Sequence, residues 1–112
     1  MKIPFSIVYK DADIIIVNNP AGLLSAEGRW DETEAHLDKI LGEFLFEKKE
    51  AAALYPVHRL DKDTSGILIT ARSAEAEAFL KNEFKLRRTE KYYLAILNGI
   101  PEKQTGIIET SI

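Results

Sequence analysis

The run Val57-His58-Arg59-Leu60-Asp61-Lys62-Asp63-Thr64-Ser65-Gly66-Ile67-Leu68-Ile69-Thr70-Ala71-Arg72 sets an acid beside a glycine turn and then enters a strongly apolar stretch. It looks like a catalytic loop. Turn chemistry alone offers a plainer reading, a polar turn that feeds a buried strand. Calcium binding is a third, because Asp61, Asp63, Ser65 and Gly66 fall at the first, third, fifth and sixth places of an EF-hand loop. It fails at the twelfth place, where Arg72 stands instead of a bidentate carboxylate, and at Pro56, which interrupts the helix that should enter the loop. His58 and Asp63 read as residues that structure the loop, Asp63 by accepting from backbone N–H groups of the turn.

Other residues with chemical potential are more ambiguous. Tyr92 and Tyr93 alone would be a sheet pair, one inward and one outward. Lys81, Lys85, Arg87, Arg88 and Lys91 crowd a short stretch opposed only by Glu83 and Glu90. That cluster suits phosphate contacts, and equally suits the negative end of a helix that starts at Ser73 with Glu75 and Glu77 in its first turn. The 112-residue chain carries a net charge of −3 with a pI near 5.4, which argues against holding nucleic acid by a whole-surface field. Having no cysteine, it has no thiolate catalysis or disulfides, and two histidines, His36 and His58, are too few for an imidazole metal cage. Neither metal nor cofactor is implied. With no signal-peptide pattern and no bilayer-length apolar run, the expected address is cytoplasmic.

The elements that must position these residues form an α+β arrangement. At 46% hydrophobic and 29% charged residues, the chain fits a single domain over residues 1–112 with a modest core. Ser6 to Tyr9 reads as a short strand, and Ile14 to Val17 as a β-branched strand buried on both faces. Ala35 to Glu47 is helical by its Leu37, Ile40, Leu41, Phe44 and Leu45 stripe, with Asp31 and Glu34 as a capping pair and Gly42 as a weak point. Lys48 to Tyr55 links this helix to the Asp61 loop, and Gly66 to Ala71 is a buried strand. A second helix spans about Ala74 to Leu86, with Ala76, Phe79, Leu80 and Phe84 inward. Lys91 to Leu97 and Gly106 to Ile112 read as further strands. Short connections at both ends predict a mixed, largely antiparallel sheet with two packed helices.

The V-H-R-L-D-K-D-T-S-G-I-L-I-T-A-R run resembles the signature of the RluA-type pseudouridine synthases. The likeness extends to I-V-Y-K-D-A-D-I-I-I-V-N-N-P-A-G-L at Ile7 to Leu23, with Asn19 where the family usually has Lys, and to F-K-L-R-R-T-E-K-Y-Y-L-A-I-L-N-G at Phe84 to Gly99. The resemblance implies that Asp61 is the nucleophile and that Tyr93 stacks on the target uracil and assists proton removal from its C5. Arg59 would fill the space of the flipped base or pair with phosphate, and Lys85, Arg87, Arg88 and Lys91 would hold RNA phosphates. The implied substrate is a uridine in structured RNA, ribosomal or transfer, isomerised without a cofactor. A non-catalytic RNA-binding or assembly module is the alternative.

The resemblance covers about the first half of the family's catalytic domain, and the G-R-T-H-Q-I-R segment of the second half is absent. In the family that half supplies the basic partner of the aspartate and encloses the uracil. The expectation is a partial domain whose open sheet edges pair with a second copy or a complementing chain. A stable monomer in sedimentation at high concentration would contradict this.

Overall fold

In the computed structural model, which describes residues 2–23 and 36–109, the sheet is organised by a turn closed through Asp11. Asp11 Oδ1 accepts from the N–H groups of Asp13 and Ile14 at 2.7 and 2.8 Å, and the Asp11 N–H donates to the Ile14 carbonyl at 3.0 Å. These backbone donors, Ile14 foremost, hold the Asp11 carboxyl below the usual carboxylate range, and the Tyr9 hydroxyl adds a bond at 2.8 Å. The turn joins β1 (Ser6–Lys10) to β2 (Ile14–Asn19), with Ser6 facing Asn18, Lys10 facing Ile15 and an irregularity between Ile7 and Tyr9.

The remaining elements, in chain order, are α1 (Leu37–Glu47), β3 (Tyr55–Pro56), β4 (Gly66–Ala71) and α2 (Ala74–Lys85). The sheet order is β1-β2-β4-β3, and every pairing is antiparallel. The expected fold class holds, but no parallel pair occurs among the described residues. Tyr55, expected to end the link from Lys48, forms with Pro56 a two-residue edge strand instead. Pro56 suits that place, because an edge residue can lack an N–H without breaking a ladder on both sides.

One sheet face carries the core. Leu37, Leu41 and Leu45 recur every four residues along α1 and are fully buried, against Ile15 and Val17 of β2, Leu68 of β4, and Leu60 and Phe5. The helix starts at His36, whose Nδ1 accepts from the Lys39 N–H at 3.3 Å. The expected cap at Asp31 and Glu34 lies outside the described residues. Behind the core, Arg72 fastens three segments: its guanidinium donates to the Asp11 carbonyl at 2.7 Å and the Ala51 carbonyl at 3.0 Å, and its backbone N–H donates to Asp13 at 2.8 Å.

The opposite face is only partly covered. α2, capped by Ser73 Oγ accepting from Ala76 N–H at 3.1 Å, packs on β4 and β3 and buries none of its residues completely. Ile14 and Ile16 are therefore half-buried, where sequence alone predicted a strand enclosed on both faces. Phe79, expected inward, is 65% exposed for the same reason.

Two further strand expectations are corrected. Residues 91–97 form no strand, and neither do residues 106–109; the last three positions of the predicted Gly106 to Ile112 strand lie outside the described residues. A strand needs a neighbour to take its N–H and C=O groups, and no described segment pairs with either stretch. Their apolar side chains stay in solvent, with Leu94 and Ile96 fully exposed.

Asp38, in the first turn of α1, supplies a pH dependence. Burial raises its carboxyl from the ordinary value to about 6, and its Oδ1 finds no hydrogen-bond partner among the described residues. The folded protein thus binds this proton more tightly than the unfolded chain, so the penalty is absent in acid and grows as pH rises from about 4 to 6. The shift caps the effect at about 3 kcal/mol, and partial solvent access with the favourable helix-dipole position reduces it to about 1 kcal/mol. Asp38→Asn is expected to raise stability by that amount at pH 7 and to have little effect at pH 4, as read by urea unfolding at both pH values.

Candidate functional site

Asp61 sits exposed at the tip of the loop between β3 and β4. The loop is anchored before, at and after this residue. Before it, His58 Nε2 accepts from the Ile69 N–H at 3.0 Å, bringing the loop back onto β4. At its tip, Thr64 N–H donates to the Asp61 carbonyl at 2.9 Å, while the Asp63 carboxylate, expected to brace the turn, remains exposed. Just after it, the Lys62 carbonyl accepts from Gly22 N–H at 2.6 Å, tying the loop to the Pro20-Ala21-Gly22 turn. Gly22 adopts φ of 90°, a backbone region that a Cβ disfavours, so this cross-loop bond depends on glycine. Leu60 and Val57 are buried beneath the loop. An apolar anchor with backbone bonds around it fixes the main chain while leaving the Asp61 carboxylate in solvent.

Asn19, where the family usually has Lys, is fully buried. Its amide nitrogen donates to the Leu23 carbonyl at 3.3 Å, bracing the same turn, while its Oδ1 has no partner among the described residues.

Beside the loop lies a cleft of about 780 Å³. His58, Ile67, Ile69 and Phe84 form its floor and wall, the loop residues Leu60, Asp63, Thr64 and Ser65 border it, and residues 89–94, including Tyr92 and Tyr93, complete it. Tyr93 is thus brought to the cleft, at 65% exposure, though from an irregular segment and not from the expected strand. Asp61 itself lies outside the lining. The His58 ring lies 4.9 Å from that of Phe84, and burial first, then the Lys91 charge, pushes the His58 imidazole below its ordinary value.

The basic residues divide by environment. Arg88 pairs with Glu83 at 3.3 Å, Lys91 lies 5.0 Å from the Phe84 ring centre, and Lys81 pairs with Glu77 at 3.3 Å. Lys85 is in the last turn of α2 and exposed, as is Arg59 on the loop. Arg87 follows the helix with φ of 55°, and its N–H and that of Arg88 close the helix end on the Phe84 and Glu83 carbonyls at 3.1 and 3.0 Å. This closure usually uses glycine. Part of the cluster therefore serves the helix itself. Sequence reasoning missed the structural weight of Arg72, placed Phe84 inward without its contact to His58, and read His58 as a loop-structuring residue without naming its partner. Among the described residues no group of three His, Asp or Glu side chains could hold a metal ion, and no helix is long and apolar enough to cross a membrane.

The sequence profile of the RNA pseudouridylate synthases matches residues 13–112, and the chain belongs to this family. It is 40% identical over 118 residues to ribosomal large subunit pseudouridine synthase D of Borreliella burgdorferi, covering 99% of this chain and 35% of that one. It is 39% identical over 103 residues to the dual-specificity RNA pseudouridine synthase RluA of Salmonella typhi, and 37% identical to that of Escherichia coli K12, covering 92% of this chain and 44% of each relative. The chain thus spans less than half the length of these relatives. Human RNA pseudouridylate synthase domain containing 4 shares the fold, with a TM-score of 0.61 at 24% identity over 74% of this chain and 30% of that structure. The expected RluA-type kinship is borne out.

Proposed function

We propose that this chain carries the nucleophile of an RNA pseudouridine synthase that isomerises uridine in ribosomal or transfer RNA, in the cytoplasm where such RNA is found. The observation that carries the reading is the Asp61 loop: an exposed carboxylate on a backbone tied to β4 by His58 and to the Pro20-Ala21-Gly22 turn by Lys62. A fixed backbone lowers the cost of bringing a nucleophile to a base extruded from its stack. Asp61 attacks a carbon of the nucleoside, the bond between N1 and the sugar breaks, the uracil turns, its C5 joins the sugar carbon, and the bond to Asp61 breaks to return the free carboxylate. The C5 proton leaves and N1 gains one, so the nucleoside keeps its composition and no redox cofactor is needed. Tyr93 stacks on the uracil and assists loss of the C5 proton; its presence in the cleft beside the loop supports this role. Arg59 fills the vacated stack or pairs with phosphate, as its planar cation allows. Lys85, Arg87, Arg88 and Lys91 contact phosphates. The relatives' printed names, one for the large ribosomal subunit and one for dual specificity on RNA, are consistent with a structured RNA substrate.

A second copy or a complementing chain completes the site in this reading, pairing at an open sheet edge. The outer side of β1, which pairs with no further strand among the described residues, and the exposed apolar residues of 92–100 support it. The experiment is tritium release from unmodified ribosomal and transfer RNA labelled at uridine C5. Release above background is expected from the chain or its assembly. RNA binding without release would favour a non-catalytic binding module.

A further inference from the structure

The ladder between β3 and β4 is two residues long, pairing Tyr55 with Ala71 and Pro56 with Thr70. The next β4 residue, Ile69, gives its N–H to an imidazole, and the chain leaving Pro56 passes through that contact on its way to Asp61, three residues beyond His58. We propose that His58 is a positioning residue: as the neutral acceptor of the Ile69 N–H it holds the Asp61 loop on β4, and protonation of the ring releases that hold. The inference rests on the reading of Asp61 given above.

Acceptance at Nε2 requires that nitrogen to be unprotonated, so the neutral ring carries its proton on Nδ1. An imidazolium has two donors and no acceptor, and would meet the Ile69 N–H donor to donor. The surroundings favour the neutral form. The ring is half-buried on Phe84 of α2, and Lys91, 5.0 Å from the Phe84 ring centre, adds a positive charge. The acidic groups on the cleft, Asp63 from the loop and Glu90 after α2, make no hydrogen bond to the ring. The folded imidazole therefore titrates below its ordinary value. The hold is complete above the ordinary histidine range and is lost as pH falls below it. His58 is also unsuited to serve as the general base: Nε2 could take a proton only by giving up the bond that positions the loop.

The experiment combines two readouts on the full chain, wild type and with His58→Ala and His58→Gln. Gln offers an oxygen that can accept the Ile69 N–H and does not titrate. In nitrogen NMR, wild-type Nε2 should show the shift of an acceptor at pH 7, and the Ile69 and Thr64 amides should move on acidification with the His58 midpoint. Those movements should vanish in His58→Gln. In tritium release, His58→Ala should lower kcat by about 10- to 100-fold. His58→Gln should recover most of that loss and lack the acid limb of the pH profile. Amides that ignore the His58 titration overturn the proposal, as does a wild-type kcat in His58→Ala. A His58→Gln loss equal to that of His58→Ala overturns it in favour of direct proton transfer. If neither the chain nor its assembly with a complementing chain releases tritium, the proposed function fails, while the NMR readout still decides whether His58 holds the loop.

Discussion

Asp61→Ala is expected to abolish tritium release, with kcat lower by about 10⁴-fold or more, while RNA affinity changes by less than about threefold. In the proposed reaction Asp61 is the covalent nucleophile and its removal leaves no parallel route, so the loss should far exceed that from removing a residue that only orients substrate. The site predicts the asymmetry between turnover and binding. The Asp61 side chain is exposed, and the loop is held by the Asp61 carbonyl and by neighbouring residues, none of which depends on the carboxylate. Truncation to Ala should therefore leave the loop in place. Asp61→Asn preserves size and polarity but makes a poor nucleophile, and should fall with Asp61→Ala. Retained turnover in either variant would remove Asp61 from the chemistry. A large drop in RNA affinity would recast it as a binding residue.

The same loop separates what periodicity and motif can reveal from what they cannot. β2, β4 and α1 were legible because their apolar residues recur at strand or helix spacing and that spacing matches what they bury; Leu37, Leu41 and Leu45 are the clearest case. The acid of the loop was legible because a long signature fixes Asp61 relative to the glycine turn. The Ile69 bond to His58 and the carbonyl bonds of Arg72 join residues far apart in sequence, and local pattern carries no trace of which N–H or C=O will need a partner. β3 escaped because two residues have no period. Lys91 to Leu97 failed differently: its composition is that of a strand, but strand composition states only that a segment fits a half-buried pleated surface. With no neighbouring strand among the described residues to supply that surface, the segment stays irregular, and Tyr93 reaches the cleft without the expected ladder.

That incomplete coverage makes the core beneath α1 unusually decisive for stability, and Leu41→Ala should show it. Leu41 is fully buried midway between Leu37 and Leu45, over a sheet face made by Ile15, Val17 and Leu68. Truncating a buried leucine costs about 2–5 kcal/mol, depending on how far the surroundings collapse into the space. Here the flanking leucines are on the same helix and the floor is a hydrogen-bonded sheet, so collapse is limited and about 3 kcal/mol is expected. Since α2 completely buries none of its residues, the opposite face has little apolar burial with which to compensate. Small domains have total stabilities of about 5–15 kcal/mol, so the variant should lose a large share of its reserve and its urea midpoint should fall by about 2 M. Phe46→Ala provides the contrast. Phe46 is larger and on the same helix but 79% exposed, so its loss should stay within about 0.5 kcal/mol. Equal losses at the two positions would mean that α1 does not dock on the sheet through its leucine stripe. The Asp61 loop would then lack the floor that Leu60 shares with that stripe.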